Sequence, residues 1–288
     1  MTYSPLRNSV LGLLGLAFLA TPAAAEQLAP SDTVQATVMD LKYEIYAGGM
    51  LALVVKMETA RAPPRYRTLF KAEIAGPYSW FMDFAVKSQV EGLRADSVLQ
   101  PASFVTESYK KDKLKRRVEI SYLADGTLLT SVDPEPKKEN RDEIPESLQL
   151  GTFDPLSAVL MLTQAAALQG SCESVVPVFD GRRRFDLTAE DLGSERIDSS
   201  RYQAFEGDAR HCLVKFERLS GHKKGDMGVE SSYPDNISVF LGQVESGLPF
   251  VPVRMEMDHK YGALRAHLVD VDIHEKPVAL EAELHEGE

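Results

Sequence analysis

Hydrophobic and polar residues alternate along most of the chain with a period of two. The run Met39–Ile45 alternates apolar with charged residues. After the turn residues Gly48-Gly49, large apolar residues continue at every second position from Leu51 to Met57, now opposite Lys56 and Glu58. Side chains of a strand point alternately to opposite faces of a sheet, so this period predicts half-buried strands. Further alternating runs occur at Phe70–Ile74, Val118–Tyr122 and Val251–Asp258.

Turn residues and one change of phase add detail to these strands. Asp125-Gly126 and Asp180-Gly181 are favoured hairpin dipeptides, because glycine accepts the positive φ of tight primed turns. Near the C-terminus the apolar positions change face at Leu268-Val269. This change predicts a bulge or bend, as is common where sheets curve toward a barrel.

Two helices are expected among the strands. The first is predicted over about Pro77–Val90. The second is predicted to begin at Asp154-Pro155, a capping residue followed by proline, and to end before Gly170. Its interior, Leu156–Leu168, is apolar nearly all round, which is typical of a buried helix.

The patterns together predict a mainly β (α+β) protein: a curved antiparallel sheet, or an open or half β-barrel, with one buried apolar helix and one further helix. One β-rich domain is expected over residues 26–274. The polar segment Asp133–Glu146 separates two β-rich halves, which could meet near residues 133–147. The acidic tail, residues 275–288, is expected to fray.

The first 25 residues have the three parts of a secretory signal peptide. Arg7 precedes the apolar stretch Val10–Ala20, and Ala23 and Ala25 supply the small residues before a cut between Ala25 and Glu26. The alternative, a membrane anchor, is disfavoured because so short a stretch cannot span about 30 Å of hydrocarbon. No later run is long enough for a transmembrane helix, so an exported, soluble mature chain is predicted.

The two cysteines are consistent with an exported protein. Cys172 and Cys212 both follow the predicted cut, and an oxidising compartment favours a disulfide between them. Two free thiols, or half of a metal site with His211, remain as alternatives, although this spacing makes a poor zinc motif.

Charge and motifs exclude several functions. Lys and Arg number 32 against 43 Asp and Glu, giving a net charge of −11, which argues against nucleic-acid binding. The sequence has no His-Glu-x-x-His, Walker glycine loop or Gly-x-Ser-x-Gly elbow. We therefore expect no metal, no cofactor and no catalytic residues.

Two basic clusters are candidate binding sites. Arg182 and Arg184 would share one face of a strand and could hold a phosphate, carboxylate or lipid headgroup. The alternative is a hairpin whose arginines pair with nearby carboxylates. A second cluster could meet an anionic membrane surface, or form a solvated hairpin tip: Lys110, Lys111, Lys113, Lys115, Arg116 and Arg117.

The order of several short motifs resembles the exported proteins of the domain of unknown function 3108 family. The resemblance covers roughly Val34–Ile273, and the run Val176–Asp186 is its most specific part; the other motifs are Gly92-Leu93, Leu99–Pro101, Phe153–Ala158, Cys172 and Cys212. It implies a periplasmic protein of a Gram-negative bacterium, shaped like the open barrels of lipoprotein carriers, which hold acyl chains in an apolar hollow closed by helices. It implies no catalytic residues.

Three functions follow as hypotheses. The first is a non-enzymatic periplasmic protein that binds a hydrophobic or amphipathic ligand, such as a lipid or lipoprotein, or an envelope protein partner. The second is an envelope assembly factor that acts only through protein contacts. The third is a hydrolase of an envelope polymer that uses an Asp/Glu pair. A deep polar cleft would favour the hydrolase, and an apolar hollow the carrier.

Overall fold

The computed structural model describes residues 33–95, 98–135, 142–222, 236–259 and 262–280. The predicted signal peptide and its cut between Ala25 and Glu26 lie outside the described residues. Within the described part of the chain, no helix combines the length and apolarity that crossing a membrane requires.

Over the described residues, the fold is a single antiparallel sheet of 13 strands with one α-helix. Its order is β7-β6-β5-β4-β3-β2-β1-β13-β12-β11-β10-β9-β8, so β7 and β8 are the edges and β1 pairs with β13 near the middle. The helix α1 (Pro155–Gln169) connects the two edges. The strands are β1 (Thr33–Ala47), β2 (Met50–Ala62), β3 (Arg65–Ile74), β4 (Ala85–Ala95), β5 (Val98–Lys110), β6 (Lys113–Tyr122), β7 (Leu128–Asp133), β8 (Ser174–Phe179), β9 (Arg184–Ile197), β10 (Gly207–Ser220), β11 (Ile237–Gln243), β12 (Phe250–His259) and β13 (Gly262–Ala279).

The alternating runs of the sequence lie in β1, β2, β3, β6, β12 and β13, and the phase change marks a real bulge. Along β1 and β13, Lys42 lies opposite Asp270 and Tyr43 opposite Leu268, which leaves Val269 without a cross-strand partner. The two predicted Asp-Gly turns lie between β6 and β7 and between β8 and β9. The predicted mainly β fold is therefore confirmed as an open, curved sheet.

The helix predicted over residues 77–90 is wrong. A short 3-10 turn covers Gly76–Trp80, and the strand β4 begins at Ala85. Apolar residues in this stretch do not form a buried helical face, since Phe81 and Met82 are exposed. Pairing of β4 with both β3 and β5 outweighs the local helical pattern.

The C-terminal residues also differ from expectation. Residues 275–279 continue β13 and pair with the first residues of β1, Thr33–Thr37, while Leu280 is buried. The two β-rich halves of the chain belong to this one sheet.

The helix α1 packs between the two halves of the sheet. Ala158, Leu162 and Ala166 join a core cluster with β8–β11. Leu156 and Leu160 pack against the cluster of β3–β6. The burial predicted for this helix is confirmed along these faces, while Leu168 near its end is exposed.

The two edges of the sheet approach each other without pairing. Phe153, just before α1, covers the edge of β8: its N–H donates to Pro177 O, and its own O accepts from Phe179 N. A Cβ atom at Gly181, in the β8–β9 turn, would overlap the Val118 side chain of β6. The sheet is therefore curved almost into a barrel around α1.

The buried carboxylate of Asp154 holds α1 to the sheet. It caps the helix by accepting from the N–H groups of Leu156 and Ser157, both at 3.0 Å. It also accepts from Ser157 Oγ at 2.6 Å and from the Tyr122 hydroxyl of β6 at 3.3 Å. The Tyr66 hydroxyl of β3 lies 3.5 Å from Ser157 Oγ. Complete burial raises the pKa of Asp154 above its ordinary value of 3.8.

The disulfide predicted between Cys172 and Cys212 is present. It joins the segment that follows α1 to the middle of β10, and both cysteines are fully buried. The exit of the helix is thereby tied to the half of the sheet formed by β8–β11.

Replacing Asp154 with Ala should lower the free energy of unfolding by about 2–4 kcal/mol. The loss combines the helix cap, about 0.5–2 kcal/mol, with hydroxyl groups left unpaired, about 1–3 kcal/mol. Asp154→Asn retains a capping oxygen and should cost less. Urea unfolding of the three proteins measures both effects.

The same proteins give a pH test. Because folding raises the pKa of Asp154, its stabilising contribution is complete below about pH 3.8 and is lost as pH rises through the raised value. The advantage of the wild type over Asp154→Asn should therefore shrink with rising pH. Asp125→Asn is a control for which the difference in stability from the wild type should change with pH in the opposite direction, since the Thr127 N–H lowers the pKa of Asp125. A difference independent of pH for Asp154→Asn would contradict the assignment.

Removing the disulfide in Cys172→Ser/Cys212→Ser should cost about 2–4 kcal/mol of unfolding free energy, because the unfolded chain regains entropy. Reductant should destabilise the wild type by a similar amount and leave the double variant unchanged. Thermal unfolding with and without dithiothreitol measures this.

Candidate functional site

A cavity of about 210 Å³ lies between α1 and the ends of strands β2–β5. Two arginines face it: Arg61 near the end of β2 and Arg94 near the end of β4. Strand alternation aims both toward the helix, since Arg61 follows Thr59 and Arg94 follows Val90 at even spacings on that face. The site is thus built by two strands and closed by α1.

The two guanidinium groups repel each other in this cavity. Partial burial, followed by the charge of Arg94, lowers the pKa of Arg61 to about 10. Arg61 therefore stays protonated at neutral pH. Among the residues that the structure describes, no carboxylate forms an ion pair with Arg61 or Arg94. Two like charges in a partly buried site favour an anion between them.

The rest of the wall is neutral. Hydroxyl and amide groups are carried by Thr59, Tyr66, Thr163 and Gln164, and the remaining side chains are apolar: Leu99 of β5, Leu160 and Ala167 of α1, and Leu248 and Pro249 of the loop before β12. A positive end and an apolar wall suit a ligand that has an anionic group and a hydrophobic part.

A second, larger cavity of about 770 Å³ lies on the other face of the sheet, away from α1. Four lysines line it in a single row, because each lies directly opposite the next on neighbouring strands: Lys42, Lys56, Lys71 and Lys87 of β1–β4. Like charges directly opposite each other destabilise a sheet unless they are compensated.

Carboxylates compensate this lysine row. Lys71 pairs with Glu73 at 2.6 Å, and Lys42 with Glu44 at 3.8 Å. Asp270 lies opposite Lys42 at one end of the row, and Glu107 lies opposite Lys87 at the other. The larger cavity is therefore a surface of nearly balanced charge.

Carboxylates also converge beside the lysine row. Asp40 lies opposite both Glu58 and Asp272. Burial, then the charge of Glu58, raises the pKa of Asp40. Partial burial acts against ionisation of Glu58, but its hydrogen bond to Lys276 at 2.9 Å and the charge of Arg67 lower its pKa overall. The carboxylate of Glu58 is therefore already paired with Lys276 and Arg67.

Asp40, Asp272 and His274 offer one ligand atom each within 4.8 Å of one another, which is a spacing that could hold a metal ion. Asp272 is exposed, however, and acidic groups of this kind are common on protein surfaces.

Arg182 and Arg184 do not share a strand face. Arg182 lies in the turn, whereas β9 begins at Arg184. Arg184 is buried and donates to Leu148 O at 2.9 Å and to Asp186 at 2.6 Å. Arg183 pairs with Asp180. Arg183 and Arg184 therefore pair with neighbouring carboxylates, as the alternative interpretation of this hairpin predicted.

The second basic cluster forms the β5–β6 hairpin. Lys110 ends β5 and Lys113 begins β6, while Lys111 and Asp112 form the turn with φ of 53° and 55°. Farther along β6, Lys115 is exposed and Arg117 pairs with Glu107 and Glu119. The predicted hairpin tip is solvated and basic.

Sequence reasoning missed Arg61 and Arg94. A signal was present: along β2 the face of Val55, Met57 and Thr59 continues with Arg61, a charge at an apolar position. Only the fold brings Arg94 beside it, since the two strands are not neighbours.

Both solved structures and a family model match this chain. The crystal structure of a beta-barrel-like protein of domain of unknown function DUF1849 from Brucella abortus matches with 16% identity and a TM-score of 0.48, over 83% of this chain and 98% of that chain. No curated protein matches. The model of the family described as protein of unknown function (DUF3108) matches residues 42–269, and the chain belongs to that family.

Proposed function

We propose that the mature chain is a non-enzymatic periplasmic protein that binds an anionic, amphipathic ligand in the cavity between α1 and the sheet. The uncompensated pair Arg61 and Arg94 carries this proposal. Their guanidinium groups would hold a phosphate or carboxylate, and the apolar wall would take the hydrophobic part of the ligand.

The two cavities differ in whether carboxylates already compensate their positive charges. In the larger cavity, carboxylates on the same strands already balance the row of lysines. In the smaller one, burial weakens solvation of the arginine charges, and the described wall supplies no counter-charge. An anion therefore gains more in the smaller cavity, because the interaction is screened less by water.

The volume of the cavity limits which ligands can enter before α1 moves. About 210 Å³ is below the roughly 300–1,000 Å³ of a typical ligand pocket. A headgroup with a short apolar segment fits this space, while a longer acyl chain requires α1 to move. Leu160, Thr163 and Ala167 on α1 form part of the wall, so movement of this helix would enlarge the cavity.

Removing the charge of one arginine should raise the stability of the unliganded protein and abolish its response to an anionic ligand. Arg61→Met keeps the apolar stem and removes a largely buried charge together with its repulsion from Arg94, so the unliganded protein should gain about 1–2 kcal/mol, given about 1.4 kcal/mol per pKa unit. Octyl phosphate should raise the melting temperature of the wild type and leave that of Arg61→Met unchanged. Octyl glucoside, which has the same chain without the charge, should not stabilise either protein.

Two further variants test whether the stabilisation by octyl phosphate arises in the smaller cavity. Lys56→Met removes a cation from the larger cavity and should retain the full response to octyl phosphate. Asp96, two residues after Arg94, lies outside the described residues, and Asp96→Asn tests whether the chain supplies its own counter-charge. Loss of stability in Arg61→Met, with an unchanged response to octyl phosphate, would disprove the proposed site.

Native mass spectrometry of the mature protein from the periplasm, followed by organic extraction, identifies the natural ligand class. A bound lipid or other anionic amphiphile supports the proposal. A ligand-free protein that crosslinks to envelope proteins would instead favour the assembly factor.

A further inference from the structure

One end of the sheet gathers several turns between neighbouring strands. The connections β1–β2, β3–β4 and β5–β6 all lie at this end, since the strands alternate in direction. We name it the tip end. It is opposite to the end that holds Arg61 and Arg94, which lie near the far ends of β2 and β4.

Large apolar side chains are exposed at the tip end. Trp80 and Phe81, in the connection between β3 and β4, are 88% and 72% exposed. The other exposed apolar side chains at this end are Met50, Met82, Phe84 and Leu114. Isolated exposed apolar residues are ordinary, but a group of them in neighbouring turns is typical of an interaction surface.

The turn that holds these residues has a defined shape. The Tyr78 hydroxyl donates to Ala47 O at 3.3 Å, and Met82 N donates to Tyr78 O at 2.9 Å. Gly76 leaves no room for a side chain against the backbone of Leu51. These contacts fix the turn while Trp80 and Phe81 project into solvent.

The basic β5–β6 hairpin lies directly beside this turn. Ala85, the first residue of β4, pairs with Tyr109 of β5, so Phe84 lies next to Lys110 along the tip end. The hairpin adds Lys111, Lys113 and Lys115 around the exposed Leu114. The exposed aromatic residues of one turn therefore lie beside the lysines of the next, on a chain whose net charge is −11.

We propose that the tip end docks on the surface of an anionic phospholipid bilayer. Trp80 and Phe81 enter the interfacial layer, where aromatic side chains are favoured, and Lys110, Lys111 and Lys113 meet the lipid phosphates. An acidic protein is repelled from an anionic bilayer elsewhere on its surface, so the local basic hairpin also sets the orientation. The arginine cavity then faces away from the bilayer.

The chain carries its own probe, because Trp80 is its only tryptophan. We expect the fluorescence of Trp80 to shift to shorter wavelength with phosphatidylcholine vesicles that contain phosphatidylglycerol. With vesicles of phosphatidylcholine alone the shift should be much smaller. Salt should weaken binding, since the screening length falls from roughly 8 Å at 0.15 M to roughly 3 Å at 1 M.

Charge reversal tests the basic half of the surface. Lys110→Glu/Lys113→Glu should reduce partitioning onto the anionic vesicles at least about tenfold. The matched control Arg196→Glu/Arg201→Glu makes the same change in net charge on exposed residues of β9 and the connection that follows it, outside the β5–β6 hairpin, and it should bind nearly as the wild type does. Phe81→Ser tests the apolar half and should also weaken binding. Equal urea midpoints establish that the variants fold.

Three results would overturn the proposal. One is unchanged Trp80 emission with both kinds of vesicle. Another is equal loss of binding in the matched control, which would show an effect of net charge alone. The third is a shift of Trp80 emission that depends on protein concentration without vesicles, which would assign the surface to contact between two copies of the chain.

Discussion

The buried carboxylate of Asp154 is the contact on which the arrangement of the molecule depends. It caps α1 and reaches the Tyr122 hydroxyl of β6, so the start of the helix is fixed against one half of the sheet. The disulfide between Cys172 and Cys212 fixes its exit to the other half. A buried ionisable group is costly unless several donors satisfy it, and here backbone and hydroxyl groups do so together. The helix is thereby held between two halves of a sheet whose edges do not pair.

The cavity proposed as the binding site lies beneath the helix that these contacts anchor. The start of α1 is held by the hydrogen bonds of Asp154, whereas Leu160, Thr163 and Ala167 farther along it line the cavity, where Leu160 also packs against the cluster of β3–β6. Arg61 and Arg94 face this wall, and their mutual repulsion is a cost that folding alone does not explain. A bound anion would remove that cost, which is the physical basis of the proposed function.

The two proposed surfaces lie at opposite ends of the strands. The tip end combines exposed Trp80 and Phe81 with the lysines of the β5–β6 hairpin, whereas the arginine cavity lies near the other ends of β2 and β4. Binding at a bilayer would leave the cavity accessible from the aqueous side. The two proposals nevertheless rest on separate residues, and either could hold without the other.

The sequence by itself determined the features that depend on near neighbours along the chain. Alternation identified six of the strands, Asp154-Pro155 and Gly170 marked the ends of α1, and the phase change at Leu268-Val269 located the bulge. Only the tertiary structure decided features that depend on strands distant in sequence. The stretch after Pro77 became a turn and β4 because two neighbouring strands supply its hydrogen bonds. Arg61 and Arg94 became a site because sheet curvature and α1 enclose them together, and no local pattern encodes that proximity.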